Sequence, residues 1–199
     1  MVINKTTEKI LACFLADPTK DYNISELAKA IRVNYRLVYQ EILQLEKQNI
    51  LSIKRKGGMN NCMINLNTTP PLYAFIEHLR KEAFSLKHPF VKVITKELKK
   101  ITTTFSVIIL FGSFAQGKER KNSDIDLLLI VPNTMNLEKF KKEIYLAFQS
   151  LSYPFDINVV QEQSFLEMKQ QQGLNIVHEL ISNHIIIYGA EAYYELLSR

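Results

Sequence analysis

Apolar residues recur at helical spacing along the first third of the chain. Ile10, Leu11, Phe14 and Leu15 form one stripe and predict a helix over 5–16, ended by Asp17-Pro18. Ile24, Leu27, Ala28 and Ile31 form a second stripe, with Ser25 expected as its N-cap. After a break at Arg32 to Asn34, Val38, Ile42 and Leu45 predict a longer helix over 35–48. Two helices separated by about three residues make a helix-turn-helix. Leu51 to Lys54 and Cys62 to Leu66 then read as strands, with turn chemistry from Gly57-Gly58 and Asn60-Asn61. A hairpin directly after a helix-turn-helix is a wing.

The stretch Asn67-Thr-Thr-Pro-Pro71 favours extended backbone and is the expected domain boundary. A connecting helix follows over 72–87, broken at His88-Pro89, and another over 90–101. From residue 105 the period changes. FSVIILF, DIDLLLIV and PFDINVV read as strands. NLEKFKKEIYLAFQSL carries the helical stripe Leu137, Phe140, Ile144, Phe148 and Leu151. Residues 162–182 suit helix, HIIIYG a short strand and AEAYYELLS a last helix. Strands alternating with helices indicate an α/β or α+β domain of about 100 residues. The expected organisation is 1–67, a linker at 68–89, and 90–199.

Charge sharpens this division. Residues 1–67 hold ten Lys/Arg against six Asp/Glu, and residues 68–199 hold fifteen against fourteen. The basic N-terminal part therefore suits a polyanion. No segment approaches the roughly 18 uninterrupted apolar residues of a membrane span. The N-terminal segment reads as an amphipathic helix rather than a signal peptide, because Glu8 and Asp17 bracket its apolar run. A cytoplasmic protein without membrane association is expected. Cys13 and Cys62 are too few for a disulfide framework or a zinc site. His178 and His184 are expected as packed residues of a C-terminal helix and strand.

Candidate chemistry lies at LFGSFAQGKERKNSDIDLLLIV, residues 110–131. Asp124 and Asp126 stand two apart in an extended segment, so both leave one face, with Cα atoms about 6.5 Å apart. Converging carboxylates repel unless a cation lies between them, and hard oxygen donors favour Mg²⁺ or Mn²⁺. In PFDINVV, Phe155, Ile157 and Val159 share one face, leaving Asp156 and Asn158 on the other. Strand, helix and return strand would set Asp156 beside the first pair. Gly112 lets backbone approach a ligand closely, and Ser113 offers N–H and hydroxyl donors to phosphate oxygens. Asp-x-Asp alone is common, and Ser123-Asp124 also suits a plain turn before a strand.

Jointly, Gly112-Ser113, ten intervening residues, Asp124-Ile125-Asp126 and the later strand Asp156 resemble the nucleotidyltransferase superfamily. That superfamily includes DNA polymerase beta, kanamycin nucleotidyltransferase and the minimal nucleotidyltransferases. The resemblance spans about residues 90–190 and implies a mixed-sheet nucleotidyltransferase domain. It implies that Gly112 and Ser113 bind nucleotide phosphate, and that Asp124, Asp126 and Asp156 are the catalytic carboxylates holding two magnesium ions. ATP or another nucleoside triphosphate is the implied substrate. Lys118 and Ser123 are added as nucleotide-binding candidates. The sequence departs from the pattern where minimal members often carry a basic residue: Ala115-Gln116 precedes Gly117. Lys118, Arg120 or Lys121 would supply that charge.

Residues 4–67 resemble the winged helix-turn-helix family. The resemblance implies duplex DNA as partner, with Tyr35, Arg36, Tyr39 and Gln40 at the start of the recognition helix and Lys54, Arg55 and Lys56 on the wing. The overall expectation is an α/β (α+β) chain that joins a winged helix-turn-helix to a nucleotidyltransferase. Two functions stay open. One is transfer of a nucleotide to a hydroxyl acceptor. Minimal members are often antitoxins that modify a HEPN-type toxin, so such a partner is one implied acceptor. The other is a transcription regulator that senses nucleotide or only dimerises. Leu72, Phe75, Ile76, Leu79, Ala83 and Leu86 form a candidate homodimer seam and equally suit packing within the chain.

Overall fold

Asn4 starts the first helix: its side-chain oxygen accepts the N–H groups of Thr6 and Thr7, donors that no preceding turn can reach. A computed structural model describes residues 3–56, 59–68, 70–98, 100–101, 106–171 and 176–199. Helix α1 (Lys5–Ala16) buries Ile10, Leu11, Phe14 and Leu15. A two-residue strand, β1 (Tyr22–Asn23), leads into α2 (Ile24–Ile31). The N-cap of α2 is Asn23, not Ser25. Asn23 accepts the Glu26 N–H, and the Glu26 carboxylate accepts the Asn23 N–H. Ser25 has alanine three residues on and offers no such reciprocal pair. Helix α3 (Tyr35–Lys47) is capped by Asn34 and buries Val38, Ile42 and Leu45.

The wing is β2 (Leu51–Lys56) paired antiparallel with β3 (Met59–Ile64), and β1 completes a three-stranded sheet against β3. Asn60 pairs with Arg55 and Asn61 with Lys54, so these asparagines belong to the strand rather than the turn. Gly57-Gly58 and the Lys56 side chain lie outside the described residues.

Helix α4 (Pro70–Lys87) begins inside the stretch expected to be extended. Proline is compatible with a first helical turn, because its missing N–H would have no partner there. After α5 (Phe90–Leu98) come β4 (Val107–Phe111), the single turn α6 (Gly112–Ala115) and β5 (Ile125–Val131). They are followed by α7 (Leu137–Phe148), β6 (Phe155–Gln161), α8 (Glu162–Gln170), α9 (Ile176–Ser182), β7 (Ile185–Tyr188) and α10 (Ala190–Ser198). The helix expected over 162–182 is thus two helices, with 172–175 outside the described residues.

The second sheet has the order β6-β5-β4-β7, parallel between β5 and β6 and antiparallel elsewhere. Alternation splits its side chains between two cores. Ile108, Leu110, Leu127 and Leu129 meet α5 and α7 through Phe90, Ile94, Phe140 and Ile144. Val107, Ile109, Leu128 and Ile130 join a cluster that runs through Tyr73 and Ile76 to Phe14 and Leu15.

Helix α4 is therefore more than a connector. Arg80 donates from Nη1 to the Leu15 carbonyl of α1 (3.2 Å) and from Nη2 to the His184 carbonyl (2.8 Å). It also pairs with Glu77, which is 1% exposed and accepts the Tyr194 hydroxyl at 2.6 Å. Burial pushes the Glu77 carboxyl upward, and Arg80 and the hydrogen bonds pull it back. His184, packed as expected, is held to about 3, first by burial and then by the Arg80 charge. It is thus neutral, and its 3.9 Å approach to Glu77 is not an ion pair. The His178 side chain lies outside the described residues. Along the stripe on α4, Ile76 is buried and Leu72 and Leu79 pack on the core, whereas Phe75 and Leu86 are 47% and 81% exposed.

Candidate active site

Strand β4 is apolar to its last residue and ends where Gly112 adopts φ 68°, the left-handed region that glycine enters at little cost. A Cβ at position 112 would run into the Asp126 carboxylate, so the glycine is also required by close approach. The chain then makes one helical turn, in which the Gln116 N–H reaches the Gly112 carbonyl at 3.1 Å, and Lys118 closes back on the Ser113 carbonyl at 2.9 Å. Gly117 takes φ 64° and releases the basic loop. Phe114 anchors this turn from below: its ring lies 5.1 Å from Phe90 and 5.9 Å from His88.

The loop returns through Ser123, whose hydroxyl accepts the Arg120 N–H at 2.8 Å and whose N–H meets the Arg120 carbonyl. Asp124 is exposed and stands immediately before β5, and Asp126 lies inside it, half-buried. The Ile125 N–H binds the Pro154 carbonyl at 2.8 Å, which aligns the starts of β5 and β6. As a result Asp126 sits directly opposite Asp156 in the parallel register, on strands about 4.8 Å apart. Asp126 is also opposite Phe111 on β4, one residue before the Gly-Ser turn. The sequence-predicted set of Gly112, Ser113, Asp124, Asp126 and Asp156 is thus gathered at one end of the sheet. Lys118 is exposed on the adjoining loop, as are Arg120 and Lys121.

The electrostatics confirm the crowding. The Asp126 carboxyl is raised above the usual carboxylate range by burial first, then by Asp156, Asp124 and Glu179. A hydrogen bond from the Ser113 backbone N–H offsets part of this. That N–H, expected to face phosphate, therefore holds a carboxylate here. Glu179 on α9 is the acid that sequence reasoning missed. It follows Asp126 by 53 positions, has no motif of its own, and is brought close only by packing of α9 on this sheet face.

A carboxylate set of this kind fits a hard divalent cation, because repulsion among the acids is what such an ion relieves. Among the described residues, no three acidic, histidine or cysteine side chains are already closed into a metal-binding group. The donors converge without forming a finished cage.

In the N-terminal module, Tyr35, Arg36, Tyr39 and Gln40 are all exposed on the first turns of α3. The Tyr35 and Tyr39 rings stack at 6.1 Å, with 15° between their planes. Leu37, beside them, is 52% exposed and was not singled out from the sequence. Lys54 and Arg55 are exposed on the wing. No helix among the described residues is long and apolar enough to cross a membrane.

The fold and the carboxylate-lined end of its sheet define a class, that of nucleotidyltransferase domains. The family described as polymerase beta, nucleotidyltransferase matches residues 92–192, half of the chain, and the chain belongs to that family. A solved toxin–antitoxin structure with AMP-PNP is similar at 21% identity over 54% of this chain and 80% of its own, with a TM-score of 0.36. A mutant of the MntA-HpeT toxin–antitoxin is similar at 20% identity over 54% and 80%, also with a TM-score of 0.36. TrmBL2, an archaeal chromatin protein, is similar at 15% identity over 84% of this chain and 66% of its own, with a TM-score of 0.25. No curated protein matches the chain.

Proposed function

We propose that the protein transfers a nucleoside monophosphate, AMP from ATP in our reading, to a hydroxyl acceptor. The observation that carries this is the pairing of Asp126 with Asp156 in register, with Asp124 two residues away and Gly112 packed against the Asp126 carboxylate. In the reaction the acceptor oxygen bonds to the α-phosphorus, the bond to the β-phosphate oxygen breaks, and pyrophosphate leaves. Asp124, Asp126 and Asp156 are the proposed holders of magnesium or manganese. Such an ion, when bound, neutralises the carboxylates and triphosphate and polarises the phosphoryl group. Asp156, the exposed member of the cross-strand pair, is the proposed base for the acceptor proton. Gly112 and Ser113 cradle phosphate through backbone and hydroxyl donors once the Ser113 N–H leaves Asp126. Lys118 supplies the charge that Gln116 lacks, and the Ser123 hydroxyl contributes a further donor.

The N-terminal module is proposed to bind duplex DNA. Arg36 and Gln40 would read base edges, Tyr35 and Tyr39 would flank them, and Lys54, Arg55 and Lys56 would contact phosphates. A protein acceptor, of which a HEPN-type toxin is the first to test, gives this pairing the sense of an antitoxin that also represses its own genes.

A second reading is favoured by one observation. Arg80 ties α1 of the winged module to His184 of the transferase domain through a single, largely buried side chain. Nucleotide occupancy then has a rigid route to the DNA-binding surface, as a nucleotide-sensing regulator requires. Incubation with labelled ATP and Mg²⁺ separates the two readings. Label on the protein or a partner, lost in Asp124→Ala and Asp126→Ala, supports transfer. Nucleotide-dependent DNA affinity with no labelled product supports the sensor.

A further inference from the structure

The basic excess does not stop at the wing. Residues 1–101 hold seventeen Lys/Arg against nine Asp/Glu, whereas residues 102–199 hold eight against eleven. Part of it gathers in a groove of about 230 Å³ between α4 and α5, lined by Lys81 from α4 and by Lys92 and Lys96 from α5. Lys92 and Lys96 are four residues apart and so share one face of their helix. Among the described residues, none of the three lysine side chains makes an ion pair or hydrogen bond. Lys100 differs, because Glu97 holds it at 2.7 Å.

Among the described residues, Glu82 is the one acid lining the groove. The hydroxyls of Ser85 and Thr95 donate to the Glu82 and Val91 carbonyls of their own helices, at 2.9 and 2.8 Å, so neither O–H is offered outward. The groove thus presents ammonium groups with no fixed hydrogen-bonding pattern. Such a surface attracts phosphates and reads no sequence.

Two features favour nucleic acid as the polyanion. Helix α4 links the groove to the winged module: Arg80 bonds the Leu15 carbonyl of α1, and Lys81 begins the groove one residue later. Its 18 residues span about 27 Å, close to eight base pairs of duplex. The groove is also separate from the carboxylates, because α5 covers the sheet face of Leu127 and Leu129, opposite that of Asp126.

We propose that Lys81, Lys92 and Lys96 form a second, sequence-independent contact to the phosphate backbone of the duplex engaged by the winged module. The inference rests on the DNA-binding reading above. The test is a salt titration of duplex affinity with the full chain, its K81A/K92A/K96A variant and a K81R/K92R/K96R control. Loss of three phosphate contacts lowers the slope of log affinity against log salt by about 2.7 and weakens binding at least about tenfold, with sequence preference unchanged. The arginine control keeps the slope.

An unchanged slope in the alanine variant, with wild-type binding intact, overturns the groove contact and leaves the winged-module reading standing. Failure of the wild type to bind any duplex removes both. Should the alanine variant lose only association with polyglutamate and keep its duplex affinity, the groove belongs to an acidic protein and the proposal falls.

Discussion

Asp126 and Asp156 face one another across the parallel strands β5 and β6, held in register by the bond from Ile125 to Pro154. Two acids so placed oppose each other without a cation. Asp126→Asn should therefore raise the melting temperature in the presence of a chelator, by about 1 kcal/mol of stability, and abolish the stabilisation that Mg²⁺ gives the wild type. Thermal melts with EDTA and with Mg²⁺ measure both. A variant that is less stable than wild type in EDTA and still responds to Mg²⁺ contradicts the account.

Gly112→Ala places a methyl group against the Asp126 carboxylate and forces alanine into φ 68°. The expected cost is about 1–3 kcal/mol. Nucleotide affinity should fall further than stability does, because the turn that presents Ser113 must shift. Gly117→Ala, where a Cβ meets nothing within 4 Å, carries only the backbone cost. Denaturant unfolding and calorimetric titration of a non-hydrolysable ATP analogue distinguish the two sites.

Arg80→Ala leaves Glu77 buried beside Tyr194 without its cation and removes bonds to Leu15 and His184. Truncating one partner of a buried pair costs about 3–5 kcal/mol. Urea unfolding should show that loss together with a transition split into separate steps, since the same side chain joins both modules. A single transition within about 1 kcal/mol of wild type would contradict the strut.

His184 gives the fold an acid limit. Its folded value of about 3 lies below the ordinary 6.5, so the unfolded chain takes up the proton first. The stability it contributes is complete above about pH 6.5 and is lost as pH falls toward 3, by up to about 1.4 kcal/mol per pH unit. The raised Glu77 contributes with the opposite sign, so the informative comparison is with His184→Gln. That variant should show a shallower decline between pH 6.5 and 4.5 in chemical denaturation. Parallel declines in the two proteins contradict the assignment.

Much of this architecture was legible because its signals are local. The stripes of α1, α3 and α7 mark their buried faces, and the alternation of β6 sets Asp156 and Phe155 on opposite faces of the sheet. The site was legible because Gly112-Ser113, its spacing to Asp124 and Asp126, and the strand Asp156 jointly resemble the superfamily pattern, and strand alternation puts Asp124 and Asp126 on one face. Contacts made only by tertiary packing were not legible. Glu179 adds its charge near Asp126 from a helix with no motif, and Arg80 looks like any surface residue of a helix until α1 and His184 close over it. Local competition misled in two places. Asn23 outranked Ser25 as a cap because Glu26 answers it. Asn60-Asn61, good turn residues, were drawn into the wing by pairing with Arg55 and Lys54.

The central claim is nucleotidyl transfer, and the fate of each phosphorus of ATP tests it most directly. The protein is incubated with Mg²⁺ and ATP labelled at either the α or the γ position, alone and with its candidate protein partner. The account predicts α-label fixed on an acceptor and γ-label released as pyrophosphate, both abolished in Asp126→Asn. Label from the γ position on the acceptor, or transfer that survives loss of Asp126, would contradict it.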